Sequence, residues 1–207
     1  MCGRYYVMDD IEEEAERFAR DYREGRTPMA DPAGKGAKDV HPTETGTILR
    51  RQEGRIVSAS VSWGIPVRRG QPLIINARSE EVWEKPLFRD RMEKGRCIIP
   101  AMGFYEWDRE KNKASFCPPD RQILFLAGLY GLYGGKERFV ILTRDAQGAV
   151  RPVHHRMPCI IPASEVPAYL AEEKQAASLL SAPAPELLRT QEYVQQTISS
   201  FFTGADQ

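Results

Sequence analysis

Apolar residues recur along this chain in two rhythms. In DDIEEEAERFARDY (9–22), Ile11, Ala15, Phe18, Ala19 and Tyr22 fall three or four apart, the spacing of one helix face, and acids crowd the first turns where the helix dipole favours them. Most other apolar residues come in short runs bounded by turn formers. TGTILRRQEGRIVSASVSWG (45–64) predicts two strands around a turn at Glu53-Gly54. QPLIINARSEEVWEKPLF (71–88) predicts a buried strand passing into a polar loop and a short helix. RCIIPAMGFYEW (96–107) reads as one apolar strand. QILFLAGLYGLY (122–133) and ERFVILTRDA (137–146) read as two more, joined by a Gly134-Gly135 turn. The Gly-, Pro- and charge-rich stretch 23–39 predicts a loop, and SEVPAYLAEE (164–173) a helix with Ser164 as its N-cap. Strands outnumber helices and come as hairpins. The expectation is an α+β fold: a curved, mostly antiparallel, barrel-like β-sheet core with peripheral helices, in a single domain over residues 1–200, followed by a polar tail over 201–207.

Composition narrows the function. The 207 residues are 42% apolar, enough for a real core, and carry 29 basic and 29 acidic side chains. No global field draws this chain onto nucleic acid, so any such contact must be local. The four cysteines, Cys2, Cys97, Cys117 and Cys159, form no C-x-x-C pair, which argues for a reducing cytoplasm over a disulfide scaffold. There is no run of 18 apolar residues, and the N-terminus lacks the apolar core of a secretory signal. No phosphate-binding G-x-x-x-x-G-K, G-x-G-x-x-G or G-x-S-x-G occurs. No metal-ligand spacing is present either, so neither a metal nor a nucleotide cofactor is expected.

Four places set a reactive polar residue within an apolar stretch. Cys2 stands second in MCGRYYV. Removal of Met1 would leave a free amine and a thiol two carbons apart, whereas an unprocessed Cys2 is a buried strand residue like most free cysteines. Glu106 lies between Tyr105 and Trp107; buried, its carboxyl becomes a proton carrier near neutral pH, and exposed it is an ordinary edge residue. Asn76, in IINARSE, suits holding a carbonyl or an amine, or capping a turn. His154 and His155 precede Arg156; on an extended segment they point to opposite faces, leaving Arg156 on the face of His154. Arg78 and Ser79 have the form of a phosphate clamp, with an ion pair from Arg78 to Glu80 or Glu81 as the alternative.

Taken in order, MCGRY (1–5), PT (42–43), WG with a following Pro (63–66), NARSE (76–80), RCIIPAMGFYEW (96–107) and HHRMP (154–158) resemble the SRAP family, the SOS-response-associated peptidases or abasic-site processing proteins. The resemblance implies a site of Cys2, Asn76, Glu106 and His154, the histidine being chosen by the pattern H-x-R-M-P. It also implies that Arg4, Arg78, Ser79 and Arg156 hold DNA phosphates. The chain departs from the family at WGIPVRRG, where an aromatic residue usually follows, and at His41.

The implied activity is covalent capture of an abasic site in single-stranded DNA, with strand scission and crosslink reversal as further steps. A cysteine with a free amine condenses with the sugar aldehyde and closes a thiazolidine. An α-amino group titrates near 7.7–8.0, so roughly a tenth to a sixth is neutral at pH 7, against about four in ten thousand for lysine. The rivals are an autoprocessing N-terminal-cysteine peptidase or amidohydrolase, in which the amine serves as base, and a non-catalytic single-strand-binding module. The expected partner is single-stranded DNA containing abasic sites, met by a cytoplasmic, nucleoid-associated monomer with no membrane.

Overall fold

The computed structural model describes residues 2–26, 36–67 and 72–192. Its elements in chain order are β1 (Tyr5–Met8), α1 (Ile11–Arg23), β2 (Ala37–Val40), β3 (Thr45–Gln52), β4 (Arg55–Trp63), β5 (Asn76–Arg78), α2 (Pro86–Lys94), β6 (Arg96–Ala101) and β7 (Gly103–Trp107). There follow β8 (Lys113–Cys117), β9 (Leu124–Tyr133), β10 (Lys136–Asp145), β11 (Arg156–Pro158), β12 (Ile160–Ile161), α3 (Val166–Ala171), α4 (Glu173–Ser181) and β13 (Leu188–Glu192).

The strands form two sheets. In the larger, β10 pairs with β4, β4 with β3, β3 with β6, β6 with β9, and β9 with β10 again, which closes a five-stranded barrel. Closure removes both sheet edges at once. The β10 contacts to β4 and to β5 are parallel, and the remaining pairings of this sheet are antiparallel. The second sheet runs β13-β8-β7-β1-β2 and is antiparallel throughout. The mixed α+β class with a barrel-like core is therefore the observed one.

The two-residue turn at Glu53-Gly54 has φ of 49° and 79°, and Gly134-Gly135 has 59° and 78°. Two successive left-handed residues are what a tight hairpin requires, and glycine adopts them without strain. Between the sheets and inside the barrel lies one core. Trp63 is its centre: it stacks on Phe139 at 6.1 Å, meets Tyr5 at 5.3 Å, and donates its indole N–H to the Ile75 carbonyl at 2.9 Å. Helix α1 lays Ile11, Ala15 and Phe18 against the barrel, with Phe18 4.9 Å from Phe125. Tyr22, placed on that face by spacing, is instead exposed, because the helix outruns the sheet it covers.

Four further expectations are corrected. The alternation over 96–107 conceals two strands in different sheets: the chain turns at Met102, whose N–H donates to the Tyr6 carbonyl at 2.9 Å. The end of the 23–39 stretch is not loop but strand β2, formed because β1 offers it a pairing edge. The buried strand expected at the start of 71–88 begins only at Asn76, which opens β5, while Ile74 makes an isolated bridge to Ile65. Ser164 sits in a 3-10 turn and gives no side-chain cap to α3. Strands β8 and β13 and helix α4 had no counterpart in the pattern. Residues 27–35, Arg68, Arg69 and the chain beyond 192, including the 201–207 tail, lie outside the described residues.

Candidate active site

Three elements and one turn bring the reactive residues together. Cys2 precedes β1, Asn76 opens β5, Glu106 lies on β7, and His154 leaves the turn before β11. Because β7 alternates, Phe104 and Glu106 face inward while Tyr105 and Trp107 face outward. Asn76 is in register with Ile141 of β10, and its Nδ2 donates to the Cys2 carbonyl at 2.9 Å. This bond ties Cys2 to strand β5. Asn76 Oδ1 is buried and has no hydrogen-bond partner among the described residues.

Glu106 is 1% exposed, and its Oε2 lies 3.9 Å from His154 Nδ1. Burial raises the Glu106 pKa from 4.5 to about 7, because a desolvated carboxylate loses its hydration. Burial lowers that of His154, for the opposite charge type. The pair is therefore tuned toward one another: both forms of the carboxyl are populated at neutral pH, and burial shifts the imidazole toward its neutral form. Burial also pushes the Cys2 thiol well above its ordinary range, with the charge of Glu106 adding to the effect, and the thiol points at the Arg4 carbonyl at 3.7 Å. Proximity of Arg4 does not produce a thiolate here, since its guanidinium pairs with Asp39 at 3.4 Å and lies 5.2 Å over the Trp107 ring.

The His154 ring has two backbone neighbours at one nitrogen. Nδ1 accepts from the Arg156 N–H at 3.0 Å and lies 3.1 Å from the Arg156 carbonyl oxygen. A neutral ring uses the first and a protonated ring the second, so a proton can be gained or lost without rotation. His154 and His155 do not diverge as an extended segment would require. The chain is still closing a turn, with His154 N–H donating to the Val150 carbonyl at 3.0 Å, and the two rings pack 4.4 Å apart. Beside them opens a groove of about 1180 Å³ lined by Trp107, Arg109, Gln147, Arg151, His154 and His155, among others. Of the four converging residues, His154 is the one that lines this groove.

The four basic or hydroxyl residues read as phosphate ligands are placed differently from one another. Arg4 and Arg78 keep partly exposed side chains, Arg78 pairing with Glu81 at 3.1 Å. Ser79 donates its N–H to the Thr143 carbonyl at 2.8 Å. Arg156 is 5% exposed, and its guanidinium is taken up by Glu80 and Asp145. Asp39 escaped the sequence reading because its segment reads as loop, and Glu80 because the nearer Arg78 masked its true partner.

The model of the SRAP family, SOS response associated peptidase, matches residues 1–200. The chain belongs to this family. It is 27% identical over 179 residues to the abasic site processing protein YoaM of Bacillus subtilis (strain 168), covering 78% of this chain and 75% of YoaM. It is 26% identical over 232 aligned positions to the abasic site processing protein YoqW of the same organism, covering 92% of this chain and 100% of YoqW. It is 27% identical over 169 residues to the abasic site processing protein YedK of Escherichia coli (strain K12), at 78% and 75% coverage. A crystal structure of a Bordetella bronchiseptica protein superposes with a TM-score of 0.73 at 25% identity, covering 93% of this SRAP chain and 100% of that one. One from Bacteroides thetaiotaomicron, at 22% identity and a TM-score of 0.64 with 86% of each chain covered, shows the same fold. Among the described residues of the SRAP chain no group of side chains is arranged to hold a metal, and no helix is long and apolar enough to cross a membrane.

Proposed function

We propose that this protein captures abasic sites in single-stranded DNA through Cys2, after Met1 has been removed. The observation that carries the reading is the convergence of Cys2, Asn76, Glu106 and His154 from four distant parts of the chain, with a carboxyl and an imidazole 3.9 Å apart beside the cysteine. Relatives named abasic site processing proteins cover most of the chain and support it.

The chemistry follows from the groups. Hydrolysis of the Met1–Cys2 bond turns the Cys2 nitrogen into an amine. His154 delivers a proton to the sugar ring oxygen and takes back the proton of the anomeric hydroxyl as the closed abasic sugar opens to its aldehyde. The neutral amine adds to the aldehyde carbon to give a carbinolamine, whose hydroxyl leaves as water with a proton from the Glu106 carboxyl. The Cys2 sulfur then adds to the same carbon, and its proton returns to the Glu106 carboxylate. A five-membered thiazolidine is closed, one water is lost, and no oxidant or reductant takes part. The thiol is buried and neutral, so its proton must be removed at the moment of attack, and a carboxyl titrating near 7 suits that task. Asn76 Nδ2 fixes the cysteine backbone, and its vacant Oδ1 accepts from the sugar hydroxyl or the amine. Arg4, Arg78 and Ser79 contact flanking phosphates. An unpaired strand enters the groove without the cost of unstacking a duplex.

The test is intact mass after incubation with a single-stranded oligonucleotide bearing one abasic site. A product equal to protein lacking Met1 plus oligonucleotide minus one water is expected, and Cys2→Ala should give none. A mass that never changes, or an adduct that persists in Cys2→Ala, removes Cys2 from this role. Turnover of a peptide amide without any DNA adduct would instead favour the hydrolase.

A further inference from the structure

We propose that Glu80 and Asp145 are positioning residues for His154, acting through Arg156. This rests on His154 being the proton carrier of the reaction just described. The seat of the His154 ring is the Arg156 backbone, whose N–H and carbonyl both lie within 3.1 Å of Nδ1. That backbone is held by the β10–β11 pairing and braced by the Arg156 side chain. Its Nη1 donates to Glu80 Oε1 at 2.9 Å and to Asp145 Oδ1 at 2.6 Å. Its Nη2 donates to Glu80 Oε2 at 2.7 Å and to the Thr143 carbonyl at 2.6 Å.

These four bonds join three segments. Glu80 belongs to the turn that follows β5, the strand that carries Asn76; Asp145 and Thr143 belong to β10; Arg156 starts β11 opposite Asp145. The brace thus couples the Asn76 strand to the His154 turn. Glu80 grips the guanidinium with both oxygens, a two-point contact that fixes direction as well as distance. The acid side chains themselves are open to solvent, 48% for Glu80 and 89% for Asp145, so their worth as surface ion pairs is small. What they supply is geometry: a small tilt of the Arg156 peptide carries Nδ1 off its donor, and catalytic groups lose about a hundredfold for a displacement near 1 Å.

Glu80→Gln, Asp145→Asn and their combination keep shape and remove charge. Arg156→Lys keeps charge and loses the fork. Imidazole ¹⁵N spectra of the DNA-free protein at pH 7.5 should show His154 in the Nε2–H form with Nδ1 hydrogen-bonded. In the double variant and in Arg156→Lys, that Nδ1 signal should move toward the value of an exposed histidine. Adduct formation should slow by about ten- to a hundredfold, while in the double variant affinity for an intact oligonucleotide without an abasic site stays within about twofold. An unchanged His154 spectrum in the double variant overturns the proposal. So does a loss of intact-oligonucleotide affinity that matches the loss of rate, since the brace would then serve the strand. Should the double variant fail to fold, Glu80→Gln alone supplies the same readings. Should the wild-type protein form no adduct, the functional reading fails, and the spectra still decide whether Glu80 and Asp145 position the ring.

Discussion

Burial of the Glu106 side chain on β7 sets chemistry against stability at a single carboxyl. Its folded pKa, about 7, stands above the ordinary 4.5. The neutral form is thus favoured by the fold: the stabilisation is full below about pH 4.5 and is lost as pH rises through 7. Glu106→Gln carries no such penalty. Relative to wild type it should gain up to about 3 kcal/mol between pH 5 and pH 8, by chemical denaturation at both values. A gap that does not change with pH would show that the carboxyl is solvated. The same variant should slow adduct formation by about 10²- to 10⁴-fold, the usual worth of a general acid–base group. A residue that costs stability at the working pH and is nevertheless 1% exposed is one the fold holds for a purpose other than folding.

At the level of elements, the corner between β6 and β7 decides where Glu106 points. Met102 takes the chain out of the barrel, and Gly103 begins the strand of the second sheet. A Cβ at Gly103 would lie 2.4 Å from the Phe116 carbonyl and 2.3 Å from the Tyr6 hydroxyl, so β7 can sit between β1 and β8 only with glycine there. Gly103→Ala should cost about 1–3 kcal/mol as an overpacked site, seen as a lower denaturation midpoint, and should slow adduct formation because β7 shifts as a unit. Full stability in that variant would mean the corner relaxes freely. By contrast, Gly54→Val places a branched side chain at φ 79° in the β3–β4 turn and should cost about 1–2 kcal/mol with adduct rate retained. The helix α1 and the hairpins were legible from residue spacing and turn chemistry alone, because those signals are local. Strands β2, β5, β8 and β13 were not, since each is short and exists only where a partner edge is offered to it.

For the whole molecule, charge balance limits how it holds DNA. With 29 acids against 29 bases, affinity must come from a few local cations. Arg4 and Arg78 are partly exposed, and Arg156 is occupied by carboxylates. Single strands release about 0.7 counterion per neutralised phosphate, so log affinity for an intact oligonucleotide should fall with log salt at a slope of about −1 to −2. Anisotropy titrations across salt concentrations check this; a slope near −5 would require a basic strip beyond these two arginines. The barrel explains why so few contacts can suffice: β10 belongs to its closed frame, β5 with Asn76 pairs onto β10, and the His154 turn leads directly into β11, which pairs β10 as well.

Residue order by itself determined the kind of protein this is: hairpins of a barrel-like α+β domain, no cofactor motif, and a cysteine, an asparagine, a glutamate and a histidine each set within apolar surroundings. Those properties are local in the chain, readable from period, turn chemistry and short motifs. Tertiary structure decided which polar residues face one another. Only folding shows that Asn76 reaches the Cys2 carbonyl, that Glu106 meets His154, and that Arg156 pairs with Glu80 and Asp145. These are contacts between positions tens of residues apart, set by strand pairing and by burial, and neither is written in the spacing of neighbours.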